Sequence, residues 1–246
     1  MGAPSPPPLI AHRGWQRRFP ENTLAAVRGA IAAGAGWVEV DVQLSRDRVP
    51  HLFHDLELRR LTGARGRILD RSAEELAALR ASEAGRLGEG FSEEPVARLD
   101  ALVELLASAP RAEAFVELKR ESIEAFGVEA VLDAVLPVLA PLKRRARLIS
   151  FHLGVLRAAR TRCDLELGPV LERWKDRSGD DVLDLEPDVV FCNVRRLPRS
   201  GWIAPPVGRM AIYEIDSVDR ARDLLERGAT WIETFAVGEM LEAWAP

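Results

Sequence analysis

The chain has 246 residues, 47% of them hydrophobic and 29% charged. That is the balance of a soluble globular protein with a sizeable core, and it excludes disorder and collagen-like repetition. The 34 basic and 38 acidic residues give a net charge of −4 with no dense basic stretch, so a binder of nucleic-acid backbone has no electrostatic footprint here.

In chain order, the opening Met1–Pro8 carries neither a basic region nor an apolar run, and Pro6 stands where an N-myristoylation signal wants Ser or Thr. No stretch of about 18 apolar residues follows, so a cytoplasmic protein without a transmembrane segment is expected. Strand-like runs are predicted at Leu9–His12, Trp37–Leu44, Val49–His54, Ala114–Lys119, Arg147–Phe151, Glu166–Leu171, Val189–Asn193, Arg209–Ile215 and Trp231–Phe235. Helical runs alternate with them. The first is marked by Glu21, Asn22 and Thr23 as capping residues, by the stripe Leu24, Val27 and Ile31, and by Gly34 as a stop. Later ones are predicted near Ala73–Ala81, Leu99–Ser108, Ser122–Leu139, Leu153–Arg162, Asp180–Leu185, Val218–Glu226 and Glu239–Trp244. This alternation predicts a parallel α/β protein.

Two places break the rhythm. Ser45–Arg48 is too short for a crossover helix, so the second and third runs are expected to form a hairpin-like pair counting as one unit. Eight strand units remain, which is the count of a (β/α)₈ TIM barrel, and the length suits one. The Gly-, Arg- and Glu-rich stretch of residues 56–96 reads as an insertion after the second strand unit, carried on a loop at the catalytic end and expected to cap the pocket. A single domain over residues 1–246 is expected. The two cysteines, Cys163 and Cys192, fall in segments that read as core strands and are expected to be buried and reduced.

Chemistry concentrates at strand ends. In Trp37–Leu44, Val38, Val40, Val42 and Leu44 share one face while Glu39, Asp41 and Gln43 share the other. If the apolar face meets the helices of a barrel, two carboxylates turn inward, and burying them requires a cation or basic partners; an edge strand with a solvated polar face is the plain alternative. Ala114–Lys119 repeats the arrangement, placing Glu117 and Lys119 on one face with Phe115. Three converging carboxylates are hard ligands suited to Mg²⁺, Mn²⁺ or Ca²⁺, and Lys119 could neutralise a bound phosphate. An ion pair between Glu117 and Lys119 is the simpler reading of that strand alone. His12 and Arg13 follow the first strand before Gly14, and His54 closes the third run beside Asp55. Two such histidines beside three carboxylates are the parts of metal-assisted acid/base cleavage of a phosphate ester. His51 faces the other way and reads as structural, and His152 opens a helix as a cap or surface residue.

His12-Arg13-Gly14, Pro20-Glu21-Asn22-Thr23, Glu39-Val40-Asp41, His54-Asp55 and Glu117-Leu118-Lys119 resemble, in order and approximate spacing, the successive motifs of the glycerophosphodiester phosphodiesterase family. The resemblance implies a TIM barrel that hydrolyses a small-molecule glycerophosphodiester to glycerol 3-phosphate and an alcohol. It implies one divalent cation, Mg²⁺ or Ca²⁺ or Mn²⁺, on Glu39, Asp41 and Glu117. It further implies His12 and His54 as the acid/base pair, Arg13 and Lys119 on the phosphate, and a supporting role for Glu21 and Asn22. The chain departs from the family at Leu61-Thr62, where Leu61 leaves one hydroxyl of a Thr pair missing, at Tyr213-Glu214-Ile215-Asp216, and at Glu233-Thr234 in place of Thr-Asp. Acids at Glu214 and Glu233, if inward, would favour a neutral or cationic head group. Two other readings are lysophospholipase D-like hydrolysis of a lipid diester, with Phe91, Trp202 or the Trp15–Phe19 turn at an apolar mouth, and a non-catalytic phosphodiester-binding barrel.

Overall fold

The protein is described by a computed structural model covering residues 7–244. The first six residues, including the Gly2–Pro6 stretch considered above for acylation, lie outside the described residues. Among the described residues nine strands form one sheet: β1 (Leu9–Ala11), β2 (Trp37–Leu44), β3 (Pro50–Leu52), β4 (Glu113–Leu118), β5 (Ala146–Ser150), β6 (Glu166–Leu171), β7 (Val189–Asn193), β8 (Arg209–Tyr213) and β9 (Trp231–Thr234). Eight of them pair in parallel, and β1 bonds both β9 and β2, which closes a barrel. β3 lies outside the closed ring and pairs antiparallel with β2, Val42 opposite Leu52 and Leu44 opposite Pro50. The short connection, five residues from Ser45 to Val49, therefore makes the hairpin that was expected.

Strand alternation sorts the side chains into two apolar layers. Val38, Val40, Val42 and Leu44 on β2 join Leu102, Leu106, Val131 and Leu132 on the surrounding helices. Ile10, Phe115, Ile149, Val170, Val189, Phe191, Ala211 and Trp231 fill the barrel interior. Gly168 of β6 is needed there, since a Cβ at that position would lie 2.5 Å from a Val189 methyl. The interior is closed below by ions: Arg147 bridges Glu113 and Glu166 at 2.5 Å each, Arg209 reaches Glu166 at 2.6 Å, and both guanidinium groups lie over the Trp231 ring. A packed floor leaves the open end at the C-terminal edge of the strands as the place for a site.

The helices follow the sequence with one correction. The run expected at Ser122–Leu139 is two helices, Arg120–Phe126 and Val128–Leu139, because Gly127 at φ +85° ends the first and turns the chain into the second. Among the described residues no single helix is long and apolar enough to cross a membrane. Cys192 is buried on β7, and burial pushes its thiol up to about 12. Cys163 is half-buried in the turn after the helix Leu153–Arg160 and not in a strand.

Residues 56–96 form short helical turns at Arg59–Thr62, Ala73–Ala77 and Ala84–Leu87. They enclose a small apolar cluster of their own, with Leu58, Leu61, Ile68, Leu69 and Leu76 packed under Phe53 and Val96. None of these side chains enters the barrel interior. The segment leans on the turn that precedes the first helix: Arg86 donates to the Phe19 carbonyl at 2.9 Å, Glu94 accepts from the Ala25 amide, and Phe91 meets Phe19 edge to face.

Candidate active site

The inward positions at the open end bring the charged residues together. β1 delivers His12 and Arg13, β2 delivers Glu39 and Asp41, the end of β4 delivers Glu117 and Lys119, and His54 arrives two residues after β3. With Ile149, Phe151, Val170, Phe191, Tyr213, Glu214 and Glu233, all of these but Asp41 line a cavity of about 140 Å³. Asp41 lies immediately behind, 1% exposed. All seven residues singled out from sequence for catalysis, phosphate or metal thus meet at one place.

The turn after β1 aims Arg13. Arg13 itself takes φ +53°, and Gly14 follows at φ +79°, where a Cβ would lie 2.6 Å from the Ala26 backbone. In this conformation the Arg13 guanidinium reaches Asp41 and Glu21 at 3.0 Å each, and its backbone amide donates to Glu39 Oε2 at 3.1 Å. Lys119 Nζ stands 2.8 Å from Glu117 and 3.3 Å from Asp41. Burial opposes the charge on Asp41, yet Lys119 and Arg13 hold its carboxyl well below the usual carboxylate range. Burial also opposes the charge on Lys119, which Asp41 and Glu117 keep protonated. The ion pair expected from Glu117 and Lys119 on a plain polar strand is present, inside the cavity and not on a solvated face.

Two basic groups do not balance this many acids. Burial, with Asp41, Glu233 and Glu117 nearby, pushes Glu39 well above the ordinary carboxylate range, and Glu117 is raised by burial and by Asp41. Glu39 Oε1 is buried with no hydrogen-bond partner among the described residues. One oxygen each from Glu39, Asp41 and Glu117 lies within 4.8 Å of the others. An acceptor with no donor, in a cluster of hard oxygens held apart by two cations, is a donor set that fits Mg²⁺, Ca²⁺ or Mn²⁺.

The histidines differ. His12 is pulled down to about 3 by burial and by Arg13, so its ring is neutral at physiological pH. His54 Nδ1 bonds Asp55 Oδ1 at 2.8 Å, which leaves Nε2 for the cavity. His51 turns away, buried, with Nδ1 2.9 Å from the Val49 carbonyl, and His152 caps the helix Leu153–Arg160 by accepting from the Val155 amide.

A supporting ring was only partly legible. Asn22, at φ +54°, donates to Asp41 Oδ2 at 2.9 Å and accepts from the Asp41 amide at 3.0 Å. Glu21 accepts from Arg13 and from Arg60. Arg60, on the inserted segment, also bonds Asp55 at 2.6 Å, so Glu21, Arg60 and Asp55 form a chain that ends on His54. Arg60 and Asp55 were not singled out as site residues, although the adjacency of His54 to Asp55 and the Arg six residues later carried the signal. No residue from 56–96 lines the cavity: the insertion, expected to cap the pocket, braces its side instead. The aromatic residues considered for an apolar mouth also go elsewhere. Trp202, 69% exposed, lies against Gly228 just before β9 enters the barrel, at the opposite end, and Phe91 packs on Phe19.

Glu233 is inward and 3% exposed, and burial and Glu117 push its carboxyl well above the ordinary range. Glu214 lines the cavity at φ +66°.

Residues 12–206 match the sequence model of the glycerophosphoryl diester phosphodiesterase family. Human glycerophosphodiester phosphodiesterase 1 is 40% identical over 98 residues, 39% of this chain and 30% of that protein. A glycerophosphodiester phosphodiesterase of Bacillus altitudinis is 30% identical over 152 residues, 60% of this chain and 59% of its own. The matches therefore span less than two thirds of these relatives. Among solved structures, an Oleispira antarctica phosphodiesterase in complex with the product sn-glycerol-3-phosphate superposes with a TM-score of 0.85 at 23% identity, over 97% of this chain and 96% of that one, which is a likeness of fold. With its barrel closed, its charged residues gathered at the C-terminal end, and the family's sequence running from His12 through the strands that carry them, this chain belongs to the glycerophosphoryl diester phosphodiesterase family.

Proposed function

We propose that the protein is a single barrel domain with an inserted segment at about residues 56–96, and that it hydrolyses glycerophosphodiesters to glycerol 3-phosphate and an alcohol. The observation that carries this reading is the joint placement of His12, His54, Arg13, Lys119 and the Glu39–Asp41–Glu117 cluster around one small cavity. The product named for the Oleispira phosphodiesterase supports the same substrate class.

In this reading Glu39, Asp41 and Glu117 hold one divalent cation, which supplies charge stabilisation to the phosphoryl oxygens when bound. Arg13 and Lys119, both kept charged by Asp41, hold the phosphate. His12, neutral at physiological pH, takes the proton of the attacking hydroxyl, and His54 gives a proton from Nε2 to the departing alkoxide while Asp55 fixes its ring. An attack by the glycerol 2-hydroxyl gives a cyclic phosphate that water opens, the two histidines exchanging roles. The protein acts in the cytoplasm in this reading and needs no nucleic acid or membrane partner.

Turnover of glycerophosphocholine measured before and after chelation is the test. Activity lost in excess EDTA and restored by Mg²⁺, Mn²⁺ or Ca²⁺ is expected; full activity in the chelator would remove the cation from the mechanism, and no turnover of any glycerophosphodiester would remove the reaction.

A further inference from the structure

Glu233 has no task in the mechanism above. It is nevertheless built into the site. It alternates on β9 with Trp231, which fills the barrel interior, and with Ile232, which packs outward, so its side chain points into the cavity. Its neighbours in register are Ile10 on β1 and Tyr213 on β8. Oε1 is buried and makes no hydrogen bond among the described residues. A buried polar atom without a partner is destabilising, and such a cost persists in a working cavity when a ligand removes it.

The cavity shows which ligand atoms those are. Going round the barrel, the wall from β1 through β2 to β4 is charged, with His12, Arg13, Glu39, Glu117 and Lys119, and takes the phosphate. The wall of β5, β6 and β7 is apolar, with Ile149, Phe151, Val170 and Phe191. Glycerol hydroxyls have no hydrogen-bond partner on the apolar wall, and on the charged wall the mechanism above leaves them His12. Beyond His12, β8 and β9, with Tyr213, Glu214 and Glu233, offer them a polar surface, and among these Glu233 is the one buried next to His12. A His12 nitrogen, a Glu39 oxygen and a Glu233 oxygen lie within 4.8 Å of one another. A separation of that size suits two hydroxyls on neighbouring carbons, one at hydrogen-bond distance from His12 and the next from Glu233. The cavity is small, about 140 Å³.

We propose that Glu233 binds the free terminal hydroxyl of the glycerol moiety and so seats the middle hydroxyl against His12. This rests on the glycerophosphodiesterase reading and adds to it a substrate-binding residue.

The test is a cycle of two substrates and three proteins. Glycerophosphocholine is compared with the phosphocholine diester of propane-1,2-diol, which keeps the middle hydroxyl and lacks the terminal one, on wild type, Glu233→Ala and Glu233→Gln. Wild type should prefer the parent by about tenfold to a hundredfold in kcat/KM, the worth of one buried hydrogen bond to a carboxyl group. Glu233→Ala should lose about that factor on the parent and nothing further on the deoxy substrate, and Glu233→Gln should keep part of the preference. Mn²⁺ affinity by titration calorimetry and a thermal melt accompany the kinetics. Equal preference for the parent in wild type and Glu233→Ala would overturn the inference, as would a Glu233→Ala defect that appears only as weakened Mn²⁺ binding. Wild type turning over neither substrate would refute the reaction itself. If Glu233→Ala does not fold, the preference shown by Glu233→Gln relative to wild type decides in its place.

Discussion

Asn22→Ala is expected to destabilise the protein by about 4 kcal/mol and to loosen the Glu39–Asp41–Glu117 cluster. Asn22 and Asp41 are each 1% exposed, and the Asn22 amide spans the Asp41 carboxylate at 2.9 Å and the Asp41 backbone amide at 3.0 Å. A hydrogen bond to a charged group contributes about 1.5–3 kcal/mol, and leaving a buried amide unpaired costs about 1–3 kcal/mol. Asn22 sits at φ +54°, where asparagine is tolerated and alanine adds about 1 kcal/mol of backbone strain. At about 2–4 °C of Tm per kcal/mol for a chain of this size, the melt should fall by about 8–16 °C. Because Asp41 loses the group that orients it, Mn²⁺ affinity should fall by about tenfold to a hundredfold. Thermal melts and calorimetric titration of the purified variant read both effects. A Tm within about 2 °C of wild type, with unchanged Mn²⁺ affinity, would refute the reasoning, because it would mean that water or a shifted side chain replaces both bonds at no cost.

His12→Ala and His54→Ala should each lower kcat for glycerophosphocholine by about 10²–10⁴-fold with the fold retained, whereas His51→Ala should act on Tm; an inactive His51→Ala with normal stability would reverse the facing of β3. Asp55→Ala should reduce kcat more than it raises KM, since it releases the His54 ring without touching the phosphate, and rescue by Asp55→Glu is not expected because the longer side chain moves the carboxylate off Nδ1. In the metal-free protein, His12 at about 3 folded against 6.5 unfolded favours the native state fully above pH 6.5 and loses that share as pH falls toward 3. Unfolding free energies between pH 4 and 6.5 should therefore rise by up to about 1.4 kcal/mol per pH unit from this group, and His12→Ala should flatten that slope; an unchanged slope means another group sets it. Replacing residues 63–94 by a short Gly/Ser linker should leave a folded, metal-binding barrel, because none of that segment fills the barrel interior; a chain that fails to give the barrel's circular dichroism would show that the segment belongs to the core.

The barrel and the identity of its charged residues are local properties of the chain. Alternation in Trp37–Leu44 and Ala114–Lys119 decides which side chains face the helices and which face inward, and the short turn at Ser45–Arg48 permits only a hairpin, so Glu39, Asp41, Glu117 and Lys119 could be sorted onto one face before any contact was known. Their places at strand ends marked His12, Arg13 and His54, and the motifs gave them roles. The break at Gly127 was legible in principle, since glycine at φ > 0 ends a helix, but the apolar stripe on either side of it continues and masks the stop.

What the tertiary structure decided was who stands beside whom across the barrel. Arg13 could have paired with the phosphate alone, yet the turn at Gly14 swings it onto Asp41 and Glu21. Arg60 lies in a segment whose composition marks it as surface, and it reaches Glu21 and Asp55 only because that segment folds back on the turn before the first helix. Glu233 was an anomaly of one strand until closure of β9 against β1 set it beside His12. Pairings of this kind depend on closure and loop path over separations of tens to hundreds of residues, and burial then fixes which groups stay charged. A residue pattern of period two carries the direction of each side chain but holds no record of the strand that will face it.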